Sequence, residues 1–168
     1  MKVSELMKDV TLDTSFEGGL THNDMVLAID VSEGHDAKED DYAVLQIQIE
    51  GTEATLDAET SEKTYIRTGK NTQKTGTQRS FSVSGERYVG DEAQNYIFAH
   101  KIKYGTGTDV VVPYIYFNMR TGEGEKGNAT VIVNTDGGGD ASGGLEIDVE
   151  LKQYGGEPKA FTYTKTAC

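Results

Sequence analysis

Apolar and polar residues alternate in short runs along most of the chain, and glycine-rich stretches separate the runs. Residues 145–152 alternate most cleanly. Leu145, Ile147, Val149 and Leu151 form one row, and Glu146, Asp148 and Glu150 form the other. Residues 42–50 set Leu45, Ile47 and Ile49 against Gln46, Gln48 and Glu50. A period of two predicts strands with one buried and one polar face. Residues 79–89 repeat the pattern with Phe81 and Val83 against Ser80, Ser82 and Ser84, and Gly85 marks a bulge. Residues 25–31, 110–119 and 128–134 are rich in β-branched and aromatic side chains and read as further strands. Pro113 has no N–H to give a ladder, which places it at an edge or a bulge. Residues 121–127 read as a hairpin connection, and 160–164 as a last strand after a turn at Gly155-Gly156.

One segment breaks the alternation. Between residues 91 and 104 the apolar spacing changes to three and four, through Ala93, Tyr96, Ile97 and His100. Asp91 stands at the N-cap position with Gln94 three residues on, the spacing of a capping box. Glu92 in the first turn and Lys101 and Lys103 in the last suit the helix dipole, and Gly105 follows as a C′ residue would. The pattern predicts one helix over 91–104, flanked by strands.

At 168 residues the chain reads as one domain, 25–168, preceded by an arm at 1–24 that is loose in the monomer and ordered by a partner. Its size supports a core without metal or disulfide help. The one cysteine, Cys168, is a free thiol on a tail, so neither a disulfide framework nor a Cys-based zinc site is expected. The start lacks the apolar run of a signal peptide, and no stretch reaches the length of a membrane helix; the expected place of synthesis and residence is the cytoplasm. Seven to nine strands with one helix predict a mainly β fold, a β-sandwich or partial barrel with one flanking α-helix.

The net charge of −12 disfavours ordinary groove binding to DNA, which needs a basic patch. No catalytic set emerges. His22, His35 and His100 lack the partners of a zinc motif, no nucleophile elbow is present, and no enzymatic activity, cofactor or metal is expected. The acidic run around His35 reads as a solvated loop, and Asp136 and Asp140 lie in a glycine-rich hairpin tip without calcium-loop spacing. Residues 69–76 do not match a phosphate-binding loop. The region 51–76, acidic at first and basic later, reads as a long loop or hairpin with part of it reaching a neighbouring molecule.

The order of these pieces carries a resemblance. Residues 77–119 (TQRSFSVSGERYVGDEAQNYIFAHKIKYGTGTDVVVPYIYFNM), then ATVIVN, a glycine-rich tip and GGLEIDVELKQYGGEPKAFTY, resemble the tail tube (major tail) proteins of long-tailed bacteriophages. The likeness spans roughly residues 51–163. Tube proteins of type VI secretion systems and contractile bacteriocins share that fold. The resemblance implies hexameric rings, an inner sheet joining neighbouring subunits, and stacking into a hollow tube through which DNA passes. It implies a tape-measure protein, a tail terminator and baseplate or distal tail proteins as partners, no membrane, and a place in the virion tail after assembly in the host cytoplasm. Glu146, Asp148 and Glu150, then Gln46, Gln48 and Glu50, are the lumen candidates, with Ser80, Ser82 and Ser84 as a further row. Lys70, Asn71, Lys74 and Arg79 are the ring-stacking candidates. From another class, a soluble β-sandwich that binds carbohydrate through Tyr114, Tyr116 and Phe117 is the alternative.

Overall fold

The structure, a computed structural model, describes residues 1–165; Cys168 lies outside them. Seven strands form one antiparallel sheet: β1 (Met25–Ile29), β2 (Ala43–Val44), β3 (Ile49–Tyr65), β4 (Gly69–Glu86), β5 (Val111–Asn118), β6 (Glu123–Thr135) and β7 (Glu146–Thr162). Their order is β2-β1-β5-β6-β7-β4-β3, and the sheet does not close into a barrel. It curls strongly. Strands β5 and β4 are three places apart, which would separate them by about 14 Å in a flat sheet. Yet the Phe81 ring of β4 lies 5.0 Å from that of Tyr116 and 5.1 Å from that of Tyr114, both on β5. The curl encloses the main core, with Leu27, Ile29, Phe81, Val83, Val131 and Val149 among its residues.

Two short helices flank this core, α2 (Glu92–Ile97) and α3 (His100–Tyr104). The single helix expected over 91–104 is therefore interrupted at Phe98-Ala99, where Ala99 is extended. The periodicity explains the break. After Ile97, an unbroken helix would turn His100 and Lys101 toward the core. Restarting the helix points Ile102 inward instead, and it is buried while His100 is exposed. Asp91 caps α2 by accepting from the Gln94 N–H at 3.2 Å. Gln94 does not complete the expected box. Its buried amide donates to Ile47 O at 2.7 Å and accepts from Tyr88 N at 2.8 Å, tying α2 to the segments flanking β3 and β4. Gly105 is not in the left-handed conformation either. It is needed because a Cβ there would lie 2.3 Å from Lys101 O.

Asp91 is fully buried, and its Oδ1 has no hydrogen-bond partner. Burial pushes its carboxyl up from the usual carboxylate value of 3.8, an effect only partly offset by the Gln94 N–H, the Met1 ammonium and Arg87. A carboxyl raised by folding is best tolerated when protonated, so its penalty grows as pH rises through the folded value. Asparagine caps equally well without a charge. Asp91→Asn should therefore raise Tm at pH 7, and the gain should vanish below pH 3.8. An equal gain at both pH values in thermal melts would contradict this reading.

The N-terminal arm differs from expectation. Its first turn, α1 (Val3–Leu6), is not loose: Val3 and Met7 are buried against Val26, Ala28, Val44, Ile115 and Phe117. These lie on the reverse face of β1, β2 and β5, where Tyr163 also stacks on Phe117 at 5.1 Å. Strands β1 and β5 are thus buried on both faces, which is why their sequences run nearly continuously apolar.

Three other expectations change. The strand at 42–50 ends after Val44; Gln46 and Gln48 lie in the link to β3, where Gln48 takes φ 54. There is no reversal at Gly155-Gly156. β7 continues to Thr162 beside β6, and residues 155–158 bulge out of the ladder between Tyr154 and Lys159. The connection placed at 121–127 is mostly strand, because β6 already begins at Glu123. The bulge marked by Gly85 is present on the partner strand, at Glu50. Gly85 is required there, since a Cβ would meet Gln48 O at 2.2 Å.

Candidate functional site

Strands β6, β7, β4 and β3 share a polar face that no helix or strand of the described residues covers; the glycine-rich link at 137–144 lies against its end, at Glu86 and Glu146. Register places its residues in rows across the sheet. Ile132, Glu150, Ser82 and Glu53 stand side by side, as do Thr130, Lys152, Ser80 and Thr55. Thr135, Asp148, Ser84 and Gly51 form the next row, and Glu146 stands opposite Glu86. Directly opposed residues point the same way, with neighbouring strands about 4.8 Å apart. The face thus carries five carboxylates, Glu53, Glu86, Glu146, Asp148 and Glu150, and one ammonium, Lys152. That ammonium lies 3.6 Å from Glu150.

The structure brings together Glu146, Asp148 and Glu150 with the serine row of β4. The serines stand where cross-strand cations would neutralise the acids, so the face keeps its negative charge. Gln46, Gln48 and Glu50 do not form a second row. Gln46 donates to the Met1 sulfur, the Gln48 carbonyl accepts from Glu86 N at 2.8 Å, and Glu50 occupies the bulge. Glu53 and Glu86 were missed. The continued alternation after Gly51, and the extension of the serine row by two residues, carry the signal for both.

Beyond the body, β3 and β4 continue as a two-stranded hairpin. β4 pairs with β7 only from Ser80 to Glu86, while its pairing with β3 runs on to Tyr65↔Gly69. The unsupported part, from Leu56 to Tyr65, spans about 30 Å at the usual rise per residue. A register shift between Glu59 and Thr60 bends it, and Ile66, Arg67 and Thr68 close its tip, with Arg67 at φ 70. Ile66 is 92% exposed. Lys70, Asn71 and Lys74 all lie on this overhang, where Lys70 meets Glu62 at 2.5 Å.

Arg79 sits at the root and is engaged within the chain. Its guanidinium donates to Glu125 at 2.6 and 3.1 Å, its backbone N–H donates to the Gln153 side chain at 2.9 Å, and it lies over the Phe81 and Tyr116 rings. Tyr114 donates to the same Glu125 at 3.2 Å. Burial first, then the Glu125 charge, pushes the Tyr114 phenol up, which keeps it a neutral donor. The ion pair bolts β4 to β6 across β7 and sets where the hairpin leaves the sheet. Tyr114 and Phe117 are fully buried, so they offer no stacking platform to a sugar.

No family model matches the chain, and no curated protein matches it by sequence. Solved structures do. The fold is similar to a chain in the tail of an empty gene transfer agent (GTA) particle, computed with helical refinement in C6 symmetry. The TM-score is 0.58 at 14% identity, covering 87% of this chain and 100% of that one. A chain of the native gene transfer agent virion matches at TM-score 0.57 and 13% identity, with coverage of 87% and 100%. A sheath/tube terminator structure of an extracellular contractile injection system, in its extended state, matches at 0.48 and 9%, covering 89% and 100%. The fold is tail-tube-like.

Proposed function

We propose that this chain is the structural subunit of a phage-like tail tube, with no enzymatic role. Six copies form a ring, rings stack, and the polar face of β6, β7, β4 and β3 lines the lumen. The observation that carries this is the asymmetry of the sheet. The reverse face of β1, β2 and β5 is sealed by the arm, whereas that of the other four strands is acidic and, apart from the link at 137–144, uncovered. The free edge of β3, 17 residues long, has no second strand partner among the described residues. Ring closure would pair that edge with a neighbour and remove an exposed template for aggregation.

An acidic lumen suits DNA in transit. Like charge holds the polymer off the wall over about 8 Å at physiological salt, where a basic wall would bind it. Tape-measure, terminator and distal tail or baseplate proteins are the remaining partners, and the site of action is a tail assembled in the host cytoplasm. Tubes of secretion systems or contractile bacteriocins are the second reading, on the same fold.

Reversing Glu146, Asp148 and Glu150 to Lys tests the lumen assignment. Tails should still assemble, because these side chains face away from the core, but release of DNA from the particle should slow several-fold. Unchanged ejection kinetics would remove these residues from the lumen.

A further inference from the structure

The link from β6 to β7 contains the chain's single Asp-Gly step, Asp136–Gly137, and the chain has no Asn-Gly step. The step lies just past Thr135, where the ladder between the two strands ends. The Asp136 side chain is half exposed, and its carboxylate accepts from Lys103 Nζ on α3 at 2.7 Å. Lys103, through its hydrogen bond and then its charge, holds the Asp136 carboxyl below the usual value of 3.8. Among the described residues the Gly137 N–H makes no backbone hydrogen bond. Packing favours glycine here, because a Cβ on Gly137 would lie 3.3 Å from Leu145 Cδ1.

A backbone nitrogen that follows a carboxyl side chain can close a five-membered ring with it. The Gly137 nitrogen attacks Asp136 Cγ, an N–Cγ bond forms, and the amide proton and the carboxyl hydroxyl leave as water. The product is a succinimide. Water then opens the ring at the main-chain carbonyl. In the resulting isoaspartate the backbone runs through Cβ and Cγ, and the free carboxylate sits on Cα. Water is the only co-reactant. Closure needs a next residue without a side chain and with a freely rotating backbone, which is glycine outside a ladder. It also needs the protonated acid, because the carboxylate has no hydroxyl to lose.

We propose that Asp136–Gly137 is a site of spontaneous isoaspartate formation and that the Lys103 ammonium restrains it. The packing against Leu145 keeps the susceptible glycine in place, and Lys103 stabilises the unreactive carboxylate beside it. The product does not fit the same position. Its backbone is one atom longer, and its carboxylate has lost the methylene that carried it to Lys103. The next residue leaves little slack, since a Cβ on Gly138 would lie 3.3 Å from Glu146 Oε2. Conversion therefore shifts the link that lies against the end of the acidic face. Asp140 in the same link is followed by Ala141 and serves as an internal control.

The test ages the folded full-length protein at pH 7 and 37 °C and reads isoaspartate by peptide mapping with electron-transfer fragmentation, which separates the two isomers. The wild type should accumulate it at Asp136 and not at Asp140. Lys103→Met should raise the rate about threefold, the gain in protonated fraction when a partly exposed ion pair is lost. Lys103→Glu should raise it further, because a like charge favours the protonated acid. Lys103→Arg should stay near the wild-type rate. Equal rates in the Met and Glu variants would overturn the role given to the Lys103 charge, since both remove the tether and only one adds repulsion. Gly137→Ala should suppress the reaction several-fold, and Leu145→Ala is added to it if the new contact lowers its melt. Asp136 unchanged in the wild type and in Lys103→Glu alike would overturn the site. So would isoaspartate at Asp140 at the same rate as at Asp136. None of these readouts depends on rings or tubes, so the result stands apart from the tube proposal.

Discussion

Replacing residues 58–77 with Asn-Gly should give a folded subunit that forms rings but no long tubes. Asp57 and Gln78 are paired in register, so a two-residue Asn-Gly turn can close the shortened hairpin between them. The removed segment contributes no side chain to either core cluster. Its β-ladder joins only its own two strands. Monomer stability should therefore change little. Stacking should fail outright, because among the described residues the overhang is the one element that extends beyond the strands of the body. Sedimentation velocity and negative-stain images would report the result. Long tubes from this variant would remove the hairpin from the stacking contact.

Arg79→Ala should be the most damaging single side-chain change at the polar sites. The guanidinium is 12% exposed and the Glu125 carboxylate 22%, so removing one partner leaves the other half-sheltered without its counter-charge. Breaking such a pair should cost about 3 kcal/mol, with further loss from the Phe81 and Tyr116 rings it covers. Glu125→Ala should cost a similar amount. Arg79→Ala/Glu125→Ala should lose much less than the two losses summed, because neither charge then remains buried alone. Urea melts of the four proteins, compared as a double-mutant cycle, check this. Additive losses would show that the two residues act independently.

These two predictions fall on parts of the chain that were unequally legible in the sequence. Residues 146–152 were readable because β7 has one core-facing and one polar face, and a period of two reports that directly. Leu145, expected in the buried row, precedes the strand and is half exposed, because the core ends at Ile147. The same logic failed at 42–50. Leu45 and Ile49 both belong to the core, but the chain reaches them through a turn with Gln48 at positive φ rather than through a straight strand. Alternation counts residues and cannot see that the path bends.

The helix was legible in its start and its content, since Asp91 and Ala93 act locally. Its interruption was not, because the reason lies in Ile102 reaching a core built by distant strands. The buried arm was hidden for a similar reason. Val3 and Met7 are too few to form a pattern, and their pocket is assembled from β1, β2 and β5. In the sequence Arg79 groups with Lys70, Asn71 and Lys74 as a ring-stacking candidate. Its partner Glu125 lies 46 positions away and meets it only across β7. The acidic face was partly legible. Glu146, Asp148 and Glu150 could be grouped from one strand, whereas adding Glu53 and Glu86 required the register of three strands.

The most direct measurement is a cryo-EM reconstruction of the purified chain concentrated at low salt. The account predicts hollow tubes of stacked sixfold rings, with Asp148 and Glu150 facing the lumen and the β3–β4 hairpin crossing to the next ring. A chain that stays monomeric at every concentration, or tubes with that acidic face turned outward, would contradict it.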